Sequence, residues 1–112
     1  MFGERQAEMN EQSQLATQAD SITISASQRM AILKAIGDPR RMEIIERLSS
    51  GQQCVGCSDM RECLPISAAT LSHHLKELET AGLIQITREG KFANLSLRRD
   101  VWQAFLADLQ RI

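Results

Sequence analysis

Apolar residues recur along the chain with two different periods, and the period predicts which segments are helical and which are extended. In five segments they return every three or four residues, as along one face of an α-helix. In residues 83–97 apolar and polar residues alternate on both sides of a glycine, as in a β-hairpin. The predicted helices span residues 25–37, 38–50, 59–64, 67–82 and 100–112.

Side chains that can cap a helix stand at the start of four of these segments. Ser25 is followed three residues later by a glutamine, which is the spacing of a capping box. Asp38 precedes a proline, and an aspartate before a proline at the first helical position is a strong start signal. Ser67 and Asp100 occupy the equivalent position before the fourth and the last segments.

The order of elements is that of a helix-turn-helix followed directly by a hairpin. Pro65 ends the short third helix, because the residue before a proline is pushed out of the helical region. Gly82 closes the fourth helix where a left-handed residue is often needed, and Gly90 lies at the hairpin turn. We therefore predict a mainly α-helical fold with a small β-hairpin, a winged helix-turn-helix whose recognition helix lies in residues 67–82.

The recognition helix has an apolar and a polar side. Leu71, Leu75 and Leu78 define the buried side, and His74 falls at its flank, where we expect it to form hydrogen bonds within the domain. The opposite side carries small, hydroxylic and cationic side chains that can meet phosphates or base edges. The predicted DNA-binding residues are Ser67, Ala69, Thr70, Ser72, His73 and Lys76 on this helix, with Arg88 and Lys91 beside the hairpin turn.

Composition predicts one packed domain, residues 25–112, preceded by a polar tail, residues 1–24. Of the 112 residues 43% are apolar, which is enough for one core. The tail is rich in glutamine, carries a net charge of −3 and shows no apolar stripe, so we expect it to be mobile. The remaining residues carry a net charge of +2, which leaves nucleic-acid binding open.

The chain shows no export signal, no membrane-spanning run and an odd number of cysteines, three. These features favour a cytoplasmic protein without a membrane partner. Both histidines lie in the recognition helix, and no serine or cysteine is paired with a plausible base, so we expect no enzymatic activity.

Arg40 and Arg41 fall in the first turn of the second helix, where the helix dipole disfavours cations. They have either a phosphate or carboxylate partner or an ordinary solvated position.

Three segments of the chain resemble the arsenical-resistance repressor (ArsR) family. They read Ser-His-His-Leu-Lys-Glu-Leu-Glu-Thr-Ala-Gly-Leu-Ile at residues 72–84, Gly-Asp-Pro-Arg-Arg-Met-Glu-Ile-Ile at 37–45 and Arg-Glu-Gly-Lys at 88–91. The resemblance implies a winged-helix homodimer that binds a palindromic operator and represses transcription until an inducer releases it. It also implies that the first and last helices pair in the dimer. The implied interface residues are Ile32, Leu33, Trp102, Phe105, Leu106 and Leu109.

Cys54 and Cys57 are the candidate sensor residues. Arsenic-sensing members of the family carry Cys-Val-Cys here, but in this chain Gly56 replaces the second cysteine. Cys63 lies six residues beyond Cys57, about 240° around a helix, which argues against a three-cysteine arsenic site. The pair could bind a thiolate-bound metal or metalloid ion, form a thiol–disulfide redox couple, or have no sensing role. Residues 99–112 contain no histidine, so the zinc site that the family places on the last helix is not expected.

Two hypotheses about the function of the chain follow. The first is a sequence-specific, DNA-binding repressor released by a metal, metalloid or thiol-redox signal, or one without cysteine-based sensing. The second is a winged helix used only for contacts between proteins. The cationic hairpin residues Arg88 and Lys91 and the polar outer side of the recognition helix favour the first reading.

Overall fold

The structure is a computed structural model that describes residues 22–50 and 55–112. Within these residues the protein folds into five α-helices and three short strands. In chain order these are α1 (Ala26–Ile36), α2 (Pro39–Ser49), β1 (Val55–Gly56), α3 (Cys57–Cys63), α4 (Ala68–Thr80), β2 (Ile84–Glu89), β3 (Phe92–Leu97) and α5 (Arg99–Gln110). Cys54 and residues 1–21 lie outside the described residues, so the predicted mobility of the tail stays a prediction.

The capping residues predicted from the sequence mark the starts of three helices correctly. The Ser25 hydroxyl accepts a hydrogen bond from the backbone N–H of Gln28 at 3.0 Å, and that of Ser67 accepts one from Thr70 at 3.1 Å. The Asp38 carboxylate accepts from two backbone N–H groups at 2.8 and 3.2 Å. Each cap satisfies donors that a helix leaves unpaired at its start. These predictions are confirmed.

The predicted cap of the last helix is wrong. Helix α5 begins at Arg99, one residue before Asp100, and no side chain caps it. Asp100 lies within the first turn, where its carboxylate accepts hydrogen bonds from the Arg98 guanidinium at 2.9 and 3.1 Å. The Arg98 guanidinium is thus the main partner of this carboxylate.

Gly82 ends the recognition helix in the predicted left-handed conformation, with φ of 84°. Its N–H donates to the carbonyl of Glu79 at 3.0 Å, and the N–H of Leu83 donates to that of Leu78 at 3.0 Å. This pair of hydrogen bonds is the Schellman motif. The chain therefore turns directly from α4 into β2.

The hairpin is part of a three-stranded antiparallel sheet of order β1-β3-β2. Residue Ile86 of β2 and residue Val55 of β1 both pair with Leu95 of β3. The pairing of β1 was not predicted, since two residues carry too little pattern to identify a partner. It also moves the start of α3 to Cys57, two residues before the predicted Asp59, because the helix follows directly on the extended Gly56.

One apolar core joins all the helices to the sheet. Its fully buried side chains include Ile44, Leu48, Leu78 and Leu95, contributed by α2, α4 and β3. Ile24, which falls in the predicted tail, is only 6% exposed and packs in this core, so the packed domain begins before residue 25. The predicted winged helix-turn-helix fold is confirmed. Within the described ranges no helix is both long and apolar enough to cross a membrane.

Candidate nucleic-acid interface

Helix α4 presents the predicted division between a buried and an outward side. Its buried residues are Leu71, His74, Leu75 and Leu78. All eight predicted DNA-binding residues are exposed, six of them on α4 or its cap and two on the hairpin: Ser67, Ala69, Thr70, Ser72, His73, Lys76, Arg88 and Lys91. The structure therefore leaves this whole set accessible to a ligand, and contact with DNA stays a prediction.

The two adjacent histidines have different environments. His74 is 8% exposed and its Nδ1 lies 3.2 Å from a guanidinium nitrogen of Arg41 in α2. The ring of His73 is exposed, with its centroid 6.0 Å from that of His74. The prediction that His74 forms a hydrogen bond within the domain is confirmed.

A cleft of about 200 Å³ separates α4 from the hairpin. Ser72, Lys76 and Glu79 line it from α4, and Arg88 lines it from β2. In the described parts of the chain, no ion pair involves Lys76, Arg88 or Lys91. The cleft thus joins two cations and one carboxylate, a net positive charge suited to a phosphate group.

The hairpin carries an exposed aromatic residue at its tip that the sequence analysis did not single out. The two-residue turn Gly90-Lys91 joins the strands, and Gly90 has the positive φ, 61°, that such turns require. Phe92 follows immediately and is 67% exposed. Its position beside the turn was readable from the sequence, but its exposure depends on which face of the hairpin packs against α4.

Helices α1 and α5 form the surface at which the sequence predicts a dimer. Leu33 and Leu106 are 36% and 41% exposed, and Met30 and Ile112 extend the same apolar character. Trp102 and Leu109 are half-buried against the core. We call Met30, Leu33, Trp102, Leu106, Leu109 and Ile112 the α1–α5 apolar patch.

Two of the six predicted interface residues are not available at that surface. Ile32 is 0% and Phe105 is 1% exposed, because both side chains lie in the core of the protomer itself. The apolar stripe on α5 is broad enough to contact both the protomer core and a partner. The periodicity of the sequence does not show which residues of the stripe face the core and which face the surface. The interface prediction is therefore corrected for Ile32 and Phe105.

A buried carboxylate ties α5 to α1. Asp108 is 2% exposed and accepts hydrogen bonds from Arg29 at 2.6 Å and from Arg111 at 3.0 Å. The hydrogen bond from Arg29 holds the pKa of Asp108 below its ordinary value, although desolvation opposes it.

Beside this pair, a cavity of about 600 Å³ lies between residues 22–24 and α5. The cavity shares no residue with α4 or the hairpin, so it does not belong to the nucleic-acid interface.

Of the three cysteines, Cys54 lies outside the described residues, and the other two lie at opposite ends of one helix. Cys57 and Cys63 are the first and last residues of α3, about 9 Å apart along the helix axis at 1.5 Å per residue. The six-residue spacing also places the two positions on different sides of the helix, about 240° apart. Cys63 is exposed and forms no disulfide bond with another described residue. The described residues also contain no group of three or more histidine, cysteine or carboxylate side chains that could hold a metal ion.

Comparison of sequences identifies several related regulators. A family model of a helix-turn-helix domain matches residues 36–87. The transcriptional repressor SdpR of Bacillus subtilis is 39% identical over 72 residues, which cover 64% of this chain and 78% of that protein. The arsenical resistance operon repressor of Staphylococcus xylosus is 37% identical over 67 residues, covering 60% of this chain and 62% of that protein.

Comparison of structures finds the same fold. The crystal structure of an ArsR family transcriptional regulator matches with a TM-score of 0.70 at 22% identity, covering 80% of this chain and 91% of that one. The homodimeric winged helix-turn-helix DNA-binding domain of a possible ArsR-family regulator from Mycobacterium bovis matches with a TM-score of 0.63 at 24% identity. That match covers 74% of this chain and 76% of the other. Identities this low establish the fold alone.

Proposed function

The chain belongs to the ArsR family of winged-helix transcriptional regulators, and we propose that it acts as a homodimeric repressor on palindromic operator DNA. Like these relatives, it is a DNA-binding regulator of transcription. It is not an enzyme. The observation that carries the finer proposal is the cleft between α4 and the hairpin. There Lys76 and Arg88 converge from two elements, and neither joins an ion pair of the described residues.

We assign α4 to the major groove of the DNA. Small residues at its start, Ala69 among them, allow a close approach to the backbone, and the Ser67 and Thr70 hydroxyls can meet phosphates. Ser72 and His73 lie further along the outward side and are the candidates for base edges. Arginine and asparagine, which read bases with two hydrogen bonds, do not occur in α4. Base discrimination by this helix is therefore modest.

The hairpin is the wing of the proposed complex. Lys76 and Arg88 each bind a backbone phosphate beside the cleft, and Lys91 at the turn reaches the neighbouring backbone or the minor groove. Glu79 lines the same cleft and weakens the attraction, since its carboxylate and a phosphate repel each other. The net effect is a moderate, strongly salt-dependent affinity.

The α1–α5 apolar patch is the proposed dimer surface. Four of its members, Met30, Leu33, Leu106 and Ile112, are exposed large apolar side chains of the protomer. A homodimeric fold neighbour supports the dimer itself. A twofold axis through the patch would give two copies of α4, which on a palindrome contact half-sites about one helical turn of DNA apart, about 34–36 Å.

DNA selection tests the proposal most directly. A random pool of duplexes is enriched on the full chain, and binding of the selected duplex is measured by fluorescence anisotropy at two salt concentrations. We expect enrichment of a palindrome and a loss of about 1 kcal/mol or more on His73→Ala if it contacts a base edge. The matched control is Gln103→Ala, an exposed residue on α5. No enrichment, and no salt-sensitive binding, would leave the protein–protein module as the better reading.

The proposed release signal acts on Cys54 and Cys57, by binding a metal or metalloid ion or by oxidation of the thiols. The close sequence spacing of the two cysteines supports it, and Cys63 stays outside the site because of the length of α3. Free thiols are counted before and after arsenite, cadmium or peroxide, while release of the selected duplex is followed. A Cys54→Ser/Cys57→Ser variant should keep its DNA under all three treatments, whereas Cys63→Ser, the control, should release it. Normal release by the double variant would refute sensing by this pair.

A further inference from the structure

Arg41 lies in the first turn of α2, but its guanidinium contacts two other helices. Its Nε donates a hydrogen bond to the carbonyl oxygen of Ala35, in the last turn of α1, at 2.6 Å. Its Nη1 lies 3.2 Å from Nδ1 of His74 in α4. A guanidinium has donors only, so this hydrogen bond requires Nδ1 of His74 as the acceptor, with the ring hydrogen on Nε2. One side chain thus joins α1, α2 and α4.

Asp38 fixes the backbone from which Arg41 reaches out. Its carboxylate accepts from the backbone N–H groups of Arg40 at 2.8 Å and of Arg41 at 3.2 Å. Desolvation acts to raise the pKa of Asp38, but the hydrogen bonds from these two N–H groups act together with neighbouring positive charge, including that of Arg41, and the pKa lies below its ordinary value. The carboxylate is therefore ionised at neutral pH, and the first turn of α2 is held in place.

His74 is placed where it can set the rotation of the recognition helix. It lies at the flank of the buried side, 8% exposed, next to the outward His73. Outer atoms of a helix lie about 5–6 Å from its axis, so a rotation of about 20° moves them by about 2 Å. A displacement of that size breaks a hydrogen bond to a base edge or a phosphate, since such bonds need heavy-atom distances of about 2.7–3.2 Å.

We propose that Arg41 is a positioning residue for DNA recognition, which through His74 fixes the rotation of α4 relative to α1. This inference rests on the proposed function, because it concerns the residues that α4 turns towards DNA. Apolar contacts of the leucines on the buried side of α4 lack the angular requirement of a hydrogen bond, whereas the hydrogen bond between Arg41 and His74 is directional. Since α1 also carries part of the α1–α5 apolar patch, Arg41 ties the recognition helix to the helix that sets the spacing of the dimer.

Removal of one partner or both distinguishes positioning from simple stabilisation. The variants are Arg41→Met, His74→Leu and the double variant, with Arg40→Met as the matched control. Arg40 lies in the same turn and pairs with Glu43 at the surface at 3.1 Å, without contact to α4. Each single variant leaves one partner of the Arg41–His74 hydrogen bond unsatisfied, whereas the double variant replaces both by apolar groups and should be more stable than Arg41→Met, although the carbonyl of Ala35 still lacks its donor.

The readouts are urea unfolding and affinity for two DNA duplexes, one selected on the wild-type protein and one of scrambled sequence. We expect both single variants and the double variant to lose about tenfold in affinity for the selected duplex, equivalent to about 1.4 kcal/mol. On the scrambled duplex, Arg41→Met and the double variant should match Arg40→Met, which loses the same charge, and His74→Leu should match the wild type, because sequence-independent binding depends on charge. His74→Gln, whose side-chain oxygen can accept from Arg41, should restore at least part of the loss.

A double variant that is stable and binds the selected duplex as the wild type does overturns the inference, since Arg41 and His74 then serve stability alone. Equal losses on the selected and scrambled duplexes overturn it as well, because a change of orientation affects sequence recognition first. A wild-type protein that selects no duplex overturns the proposed function, and this inference with it.

Discussion

Lys76→Ala should reveal itself in the salt dependence of DNA binding. In each protomer Lys76, Arg88 and Lys91 are exposed cations without an ion pair among the described residues. Each phosphate contact contributes about −0.9 to the slope of log affinity against log salt, so about six contacts in a dimer give about −5.4. The substitution removes one contact per protomer and changes the slope by about 1.8. The advantage of the wild type should therefore shrink about twelvefold between about 50 and about 200 mM salt.

The assay is fluorescence anisotropy with the selected duplex over a series of potassium chloride concentrations. The matched control is Lys34→Ala, which removes the same charge from the exposed surface of α1. It should leave the slope unchanged. A slope for Lys76→Ala equal to that of the wild type would refute the reasoning even if the affinity fell, because it would mean that no phosphate lies at this position.

Three further predictions concern the scaffold of the interface. Gly82→Ala should cost about 1–2 kcal/mol in urea unfolding, because φ is 84° and the added Cβ meets its nearest neighbour at an unstrained 3.5 Å; an unchanged midpoint contradicts this. The lowered pKa of Asp108 means that its contribution to stability is complete above its unfolded value, about 3.9, and is lost as pH falls through the lower folded value. Asp108→Asn should therefore be less stable at neutral pH and its stability should fall less between pH 5 and 2 in acid titrations by circular dichroism, whereas parallel curves would exclude the ion pair as the cause. Leu106→Glu should shift the protein from dimer to monomer in analytical ultracentrifugation, since Leu106 is 41% exposed in the α1–α5 apolar patch, whereas Gln103→Glu on the same helix should not; a Leu106→Glu dimer contradicts the assignment.

Much of the fold could be predicted from the sequence because the signals are local. Ser25, Asp38 and Ser67 each bind backbone groups two or three residues away, so neighbouring residues alone specify the start of each helix. Gly82 similarly closes α4 within a few residues. The outward side of α4 followed from the 100° rotation per residue, which separated the exposed His73 from the buried His74.

Other predictions failed where a side chain binds a partner that no capping or periodic signal indicates. Asp100 was expected to cap α5, but Arg98 binds its carboxylate. For Arg41 a phosphate or carboxylate partner or a solvated position was expected; its partners are instead a carbonyl group in α1 and a ring in α4, which lies 33 positions further along the chain. No periodic pattern records a partner at such a separation.

The sequence by itself determined the order of the elements, the helix starts and the face of α4 that remains exposed, because these depend on capping and periodicity within a few residues. Only the tertiary structure decided that Ile32 and Phe105 belong to the protomer core while Leu33 and Leu106 remain at its surface. It alone also joined β1 to β3 and brought Lys76 and Arg88 to one cleft. The same apolar residue can lie in the core or at the surface, and the same charged residue can lie alone or beside another. Which of these holds is decided only when distant segments of the chain pack together.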